Sequence, residues 1–183
     1  MKLVGVSGAL AGNKTSQAIY DVLAAARHLD QSIETELVDL KDYDISFATG
    51  APVPYYNDDT WKVVDKIMAA DCLVFGTPIY QASISGALKN LLDHFPEHAF
   101  KYKVTGIVAT GWSEKHFLVT EYQLKPVLSY LKGLVPTGNV FIQNDAFDIE
   151  SGELVDDRVV KRLQSLADEV LFWQKNINER RKG

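Results

Sequence analysis

The sequence predicts a doubly wound α/β fold built on five parallel strands, and three observations predict it. Short apolar runs alternate along the chain with segments whose apolar residues recur at helical spacing. Two of the predicted strands, the first and the third, run into stretches rich in glycine and hydroxyl side chains, at residues 7–16 and 76–85. A length of 183 residues suits one domain with a substantial core.

Residues 2–7 accumulate Leu3, Val4 and Val6 instead of alternating, as a parallel strand buried on both faces does, and Gly8 ends the run. Over residues 15–29, Ala18, Ile19, Val22, Leu23 and Ala26 mark a helix. Residues 33–40 alternate through Ile33, Thr35, Leu37 and Asp39 as a second strand. Residues 43–59 have no period and contain Gly50, Pro52 and Pro54, so they form a long surface excursion carrying Tyr55 and Tyr56. Thr60 is placed to cap a helix reaching about Ala70, with Val63, Val64, Ile67 and Met68 on its inner stripe. The run at 73–75 is the third strand; it is expected to stop at Gly76-Thr77-Pro78, because proline donates no backbone hydrogen to a central strand. A helix opening near Ser85 carries Leu88, Leu91 and Leu92 and ends before Pro96. Residues 104–109 form a fourth strand leading into a loop at 110–113, and 117–134 read as one long helix. Residues 135–142 supply a fifth strand interrupted in pattern by Pro136 and Gly138, and 156–172 a closing amphipathic helix.

In a sheet of order 2-1-3-4-5 the order reverses between strands one and three, and ligands sit outside the carboxyl ends of the strands at that point. The loop from Ser7 to Ser16 opens a helix there. Its unpaired amides, the helix dipole, the hydroxyls of Ser7, Thr15 and Ser16, and the Lys14 charge suit a phosphate. An ordinary capped turn would use the same residue types. The loop has neither the GxxxxGK[ST] order nor GxGxxG spacing, which disfavours triphosphate hydrolysis and a dinucleotide fingerprint. The second loop offers Thr77, Tyr80, Ser83 and Ser85, with Gly76 permitting close approach to the backbone; that set suits a planar ring with polar edges, such as a flavin.

Gly76-Thr77-Pro78-Ile79-Tyr80, followed by Ser83, Ser85-Gly86, Leu88-Lys89-Asn90 and Asp93, resembles the isoalloxazine loop and following helix of the NADPH-dependent FMN reductase family. With the serine-rich first loop and Thr110-Gly111, the resemblance covers the chain to about residue 142. It implies a flavodoxin-like three-layer sandwich, a five-stranded parallel sheet with helices on both faces. It also implies FMN and NADPH as cofactors, and hydride transfer from nicotinamide to flavin without a catalytic acid or base. Carried over, Asn13, Lys14, Thr15 and Ser16 hold the FMN phosphate, with Ser7 beside them. Pro78, Ile79, Tyr80 and Ser83, after Thr77, line the ring, and Thr110, Gly111 and Trp112 close its other edge. Leu10 stands where the family often has arginine, and Trp112 where it often has a second glycine.

The run Tyr122-Gln123-Leu124-Lys125-Pro126-Val127-Leu128-Ser129 is similar to that of the reductases of two-component alkanesulfonate-type monooxygenases. Pro126 cannot donate to the carbonyl of Tyr122, so that turn must open, kink or become a π-bulge. The resemblance implies Tyr122 in a π-helix at a subunit interface, promoting flavin exchange, with a partner monooxygenase receiving reduced flavin. It also implies a homodimer or homotetramer, to which Tyr55, Tyr56, Trp61 and Trp112 are candidate contributors.

The remaining signals narrow the alternatives. A net charge of -5 with interleaved signs argues against a nucleic-acid footprint. The single cysteine, Cys72, allows no intramolecular disulfide and reads as a packed thiol. His94-Phe95-Pro96-Glu97-His98 matches HxxEH, but Pro96 interrupts the helix that a metal site would need. Asn13-Lys14-Thr15 is a formal glycosylation sequon without a signal peptide ahead of it. Residues 1–176 are expected to form a single FMN-binding domain, 177–183 a polar tail, and the protein to be soluble and cytoplasmic without a membrane span. Three rivals share the fold: a reductase of quinones, azo compounds or metal oxyanions that retains its FMN, a flavodoxin-type electron carrier, and a flavin sensor.

Overall fold

The computed structural model describes residues 1–182. Five parallel strands stand in the order β2-β1-β3-β5-β6. They are β1 (Lys2–Ser7), β2 (Glu34–Asp39), β3 (Cys72–Tyr80), β5 (Thr105–Gly111) and β6 (Val140–Gln143). Counting the parallel strands alone, this is the predicted 2-1-3-4-5 order. The extra strand, β4 (Ser83–Ile84), folds back antiparallel on β3.

Helices cover both faces. On one, α1 (Lys14–Leu29) and α5 (Asp157–Lys182) pack Ile19, Leu23, Leu163 and Leu166 against Leu3, Val74 and Val108. On the other, α2 (Thr60–Met68), α3 (Gly86–Asp93) and α4 (Lys125–Tyr130) close over Val6, Phe75 and Ile107 with Ile67, Leu91 and Leu128. Cys72 lies in the first of these cores, where burial pushes its thiol up to about 12; it is a packing residue without thiolate chemistry at neutral pH.

Several boundaries differ from the sequence reading, each for a local reason. β3 does not stop at Gly76 but runs through Pro78 to Tyr80. Pro78 is tolerated because β1 has already ended, its last register pair being Ser7 with Gly76, while β5 continues alongside to pair Pro78 with Thr110. Thr110 and Gly111 are consequently strand residues. The long helix expected at 117–134 is a π-helical turn at Thr120–Leu124 running into α4, and a separate 3₁₀ turn stands ahead of it at Glu114–His116. Pro126 follows directly on the π turn, which takes up the misfit left by the bond that its missing amide cannot make to Tyr122 O. α4 ends in a Schellman turn, with Lys132 at φ 69° and the Gly133 amide donating to Leu128 O.

The fifth strand begins at Val140, not 135, because the Glu169 carboxylate takes the Thr137 and Gly138 amides at 3.2 and 3.0 Å. Thr60 is the first residue of α2 and not its cap; Asp59 holds the N-cap position without a side-chain bond, and Asp58 before it accepts the Thr60 amide at 2.8 Å. The tail expected at 177–183 instead continues α5 to Lys182, with Arg181 over the Tyr102 ring; Gly183 lies outside the described residues. No helix among the described residues is long and apolar enough to cross a membrane.

The excursion at 43–59 is pinned from two sides. Asn90 donates to Ser46 O and accepts from the Ala48 amide, both at 2.9 Å, and His94 Nε2 contacts Ser46 O at 2.9 Å. Asp58 receives the Ser46 amide and hydroxyl as well as the Thr60 amide. Burial pushes the Asp58 carboxyl up, yet these hydrogen bonds prevail and hold it at about 2. A carboxylate held below its ordinary value stabilises fully above that value and loses its contribution as pH falls through the depressed one. Protection of the Ser46 and Thr60 amides in hydrogen exchange is therefore expected to vanish on acidification from about pH 4 to 2, and in Asp58→Ala already at neutral pH; pH-independent protection would contradict the assignment.

Ser85 joins three elements. Its hydroxyl donates to Gly8 O at 2.7 Å and accepts the Leu88 amide at 3.1 Å as the N-cap of α3, while its own amide donates to Thr77 Oγ1 at 3.0 Å. Ser85→Ala removes a cap and a buried donor together, so we expect a loss of about 2–3 kcal/mol in urea denaturation. An unchanged midpoint would mean that the contact is incidental.

Candidate functional site

The carboxyl ends of β1, β3 and β5 open into one cavity of about 320 Å³. On one side lie Gly12, Asn13, Lys14 and Thr15 at the opening of α1; on the other, Pro78, Ile79 and Tyr80 from β3 meet Thr110, Gly111 and Trp112 from β5. Two loops far apart in sequence thus meet where the strand order reverses, as the topology requires.

Gly12 at φ 74° turns the chain into α1, whose first internal bond is Gln17 N to Asn13 O at 2.7 Å. The first amides of the helix have no acceptor within it, so they and the helix dipole favour an anion. Lys14 Nζ donates to Asn144 O at 2.9 Å and stands 5.5 Å from the Trp112 ring centroid and 5.6 Å from that of Phe147. Three contacts thereby aim the ammonium, which keeps two further N–H donors. Thr15 Oγ1 meets Thr110 Oγ1 at 2.9 Å across the floor. Ser7 Oγ is fully buried at the end of β1 and finds no partner among the described residues. An orphaned buried hydroxyl costs stability unless a ligand uses it.

The other predicted residues are close to the cavity without lining it. Ser16 turns back to donate to Asn13 O at 3.0 Å, which shapes the loop. Thr77 donates to Pro78 O and accepts the Ser85 amide, both at 3.0 Å, bonds that hold the loop. Ser83 donates to Gln123 Oε1 at 2.5 Å, while Gln123 Nε2 donates to Ala82 O at 3.1 Å. Those bonds fasten the Tyr80–Ser83 hairpin, whose central residues Gln81 and Ala82 have φ 49° and 58°. Left-handed conformations at both positions define a type I′ turn, which normally selects asparagine and glycine. Gln123 therefore does local work in the π turn: it stabilises a strained hairpin that carries Tyr80.

Sequence reasoning missed Asn144 and Phe147, which follow β6 and complete the Lys14 bracket. The polar run Gln143-Asn144-Asp145 at the strand end was the available signal. Leu10 is exposed and does not line the cavity, and Trp112 is 83% exposed at its rim. The HxxEH residues do not share a helix face, since α3 ends at Asp93 and His94 is engaged with Ser46 and edge-on to Tyr56.

Comparison with known proteins agrees with this geometry. The profile of the NADPH-dependent FMN reductase family matches residues 1–148. An NAD(P)H-dependent FAD/FMN reductase of Geobacillus thermodenitrificans is 45% identical over 171 residues, which are 93% of this chain and 92% of that one. An NADPH FMN reductase of Escherichia coli K12 is 38% identical over 116 residues, 60% of this chain and 57% of that one. The apo structure of an NADH:FMN oxidoreductase superposes with a TM-score of 0.75 at 27% identity, covering 96% of this chain and 89% of the other. Flavodoxin-like topology, a cavity at the strand-order reversal and these matches together place the chain in the NADPH-dependent FMN reductase family.

Proposed function

We propose that the chain is an NAD(P)H-dependent FMN reductase, with FMN held in the cavity between α1, β3 and β5. The observation that carries this reading is the aimed Lys14 ammonium beside the first amides of α1, in a cavity walled by the ends of β3 and β5. Lys14, Thr15 and the amides at the start of α1 would hold the phosphate; Pro78, Ile79 and Tyr80 would flank the ring on one side, and Thr110, Gly111 and Trp112 on the other. Bound FMN supplies the hydride-accepting chemistry. The protein would bind the phosphate and orient the ring for a nicotinamide. No side chain of this cavity is assigned a proton transfer.

The finer reading is that reduced flavin leaves for a partner monooxygenase. It is supported by the π turn at Thr120–Leu124, which puts Tyr122 on the surface, 74% exposed, and ties Gln123 to the ring-side hairpin. A second copy of the chain covering Tyr122 would link subunit association to flavin exchange, in a homodimer or homotetramer. Of the other candidate interface aromatics, Tyr55, Trp61 and Trp112 are exposed, while Tyr56 is engaged with Thr49 and His94.

The direct test is NADPH oxidation with free FMN raised from substoichiometric to large excess, with flavin retention measured on the same sample. Saturating turnover of excess FMN is expected. Tight retention with quinone or azo turnover would favour the FMN-retaining rival, and bound FMN without NADPH oxidation would leave a carrier or a sensor. Lys14→Met is expected to raise the KM for FMN about tenfold while leaving that for riboflavin, which lacks the phosphate, much less affected. Equal effects on both flavins would remove Lys14 from the phosphate. Deleting Tyr122 shortens the π turn by its extra residue, and should cut turnover of excess FMN while FMN stays bound through gel filtration; unchanged turnover would remove its role.

A further inference from the structure

A larger cavity, of about 720 Å³, lies on the other side of the wall that β5 and β6 give the flavin cavity. The two are neighbours at two points. Gly111 lines the flavin cavity, and a Cβ added there would stand 3.3 Å from the ring of Phe141, which lines the larger one. Asn144, the Lys14 acceptor, lines the flavin cavity, while Gln143 and Asp145 on either side of it line the larger one. Phe117 and Phe141 give this second cavity an aromatic lining, and Arg158 and Arg162, one turn apart on α5, give it two guanidinium groups.

Both arginines are oriented yet unsaturated. Arg158 grips Asp156 through Nε and Nη2 at 3.2 and 3.0 Å, and Arg162 Nη1 donates to Phe141 O at 3.1 Å. A guanidinium has five N–H donors, so about three remain on Arg158 and about four on Arg162. The Arg158 ion pair is solvent-exposed and therefore weak, so a dianion can compete with it. The cavity also holds Glu114 and Asp145, acceptors suited to ribose hydroxyls or an adenine amino group.

This inference rests on the reductase reading. A nicotinamide laid on the flavin leaves its adenosine end somewhere on the surrounding surface, and the cavity beyond β6 offers a guanidinium pair there, Arg158 and Arg162, beside the carboxylates of Glu114, Asp145 and Asp156. The cavity on the other side of the first loop, about 380 Å³, is lined by Leu10, Phe47 and Asp44 among others and has no arginine or lysine. We propose that the cavity beyond β6 receives the adenosine end of the nicotinamide nucleotide, with the 2′-phosphate of NADPH on Arg158 and Arg162 and adenine against Phe117. This makes the two arginines the residues that set NADPH over NADH.

The test is the ratio of kcat/KM for NADPH to that for NADH, at saturating FMN, in Arg158→Gln, Arg162→Gln and the double variant. Glutamine at 162 can still donate to Phe141 O, which guards the β6 edge. Each single change is expected to lower the ratio about tenfold, the worth of one charge-assisted hydrogen bond. A ratio that does not move, or two nucleotides that lose kcat/KM equally, would overturn the proposal. Calorimetric titration with adenosine 2′,5′-bisphosphate needs no turnover: wild-type binding that is lost in the double variant supports the site, and absent or arginine-independent binding overturns it. Failure of wild type to oxidise either nucleotide would instead count against the reductase reading, so the two failures are distinguishable.

Discussion

The Ser85 contacts with Gly8, Thr77 and Leu88 are the constraint on which the site depends. They join the end of β1, the end of β3 and the start of α3 at the place where strand order reverses. The Gly8 amide adds a bond to Gly76 O at 2.8 Å, and a Cβ at Gly8 would stand 2.7 Å from that of Leu88. No side chain fits there. Because the first loop is clamped to β3, the amides opening α1 and the residues following Gly76 face each other across a fixed gap, which a phosphorylated ring system can bridge without the protein having to order either loop.

A second set of contacts works outward from that clamp. Pro126 removes a helical bond, the chain relaxes into a π turn, and the π turn presents Gln123 to a hairpin that two left-handed, non-glycine residues leave strained. The position of Tyr80 at the cavity thus depends on a proline 46 positions along the chain. On the opposite rim, Lys14 is held by Asn144 O between Trp112 and Phe147. Tryptophan in place of a small residue is then a source of binding energy for the lysine as well as a rim to the cavity.

Much of this was legible in the sequence, and the failures have a common cause. The accumulation of Leu3, Val4 and Val6, the helical spacing over α1 and the glycine-rich strand ends identify the sheet and its reversal point, because parallel strands buried on both faces have an unmistakable composition. Pro126 likewise forecast a local break, and the resemblance gave its form, the π turn that carries Tyr122. Pro78 misled, since whether a proline can lie in a strand depends on which neighbours have already ended, a tertiary fact. Residue type and resemblance offered Thr77, Ser83 and Ser16 as ligand contacts without showing the bonds that their hydroxyls make within the protein. Asn144 and Phe147 were invisible for the converse reason: they reach Lys14 only through the connection after β6, far from the loops that carry the motifs.

The measurement that tests the central claim most directly is a crystal structure of the protein soaked with FMN. The account predicts a phosphate between Lys14 and the first amides of α1, with the ring between Tyr80 and Trp112. Flavin bound elsewhere, or with its phosphate directed away from Lys14, would contradict it.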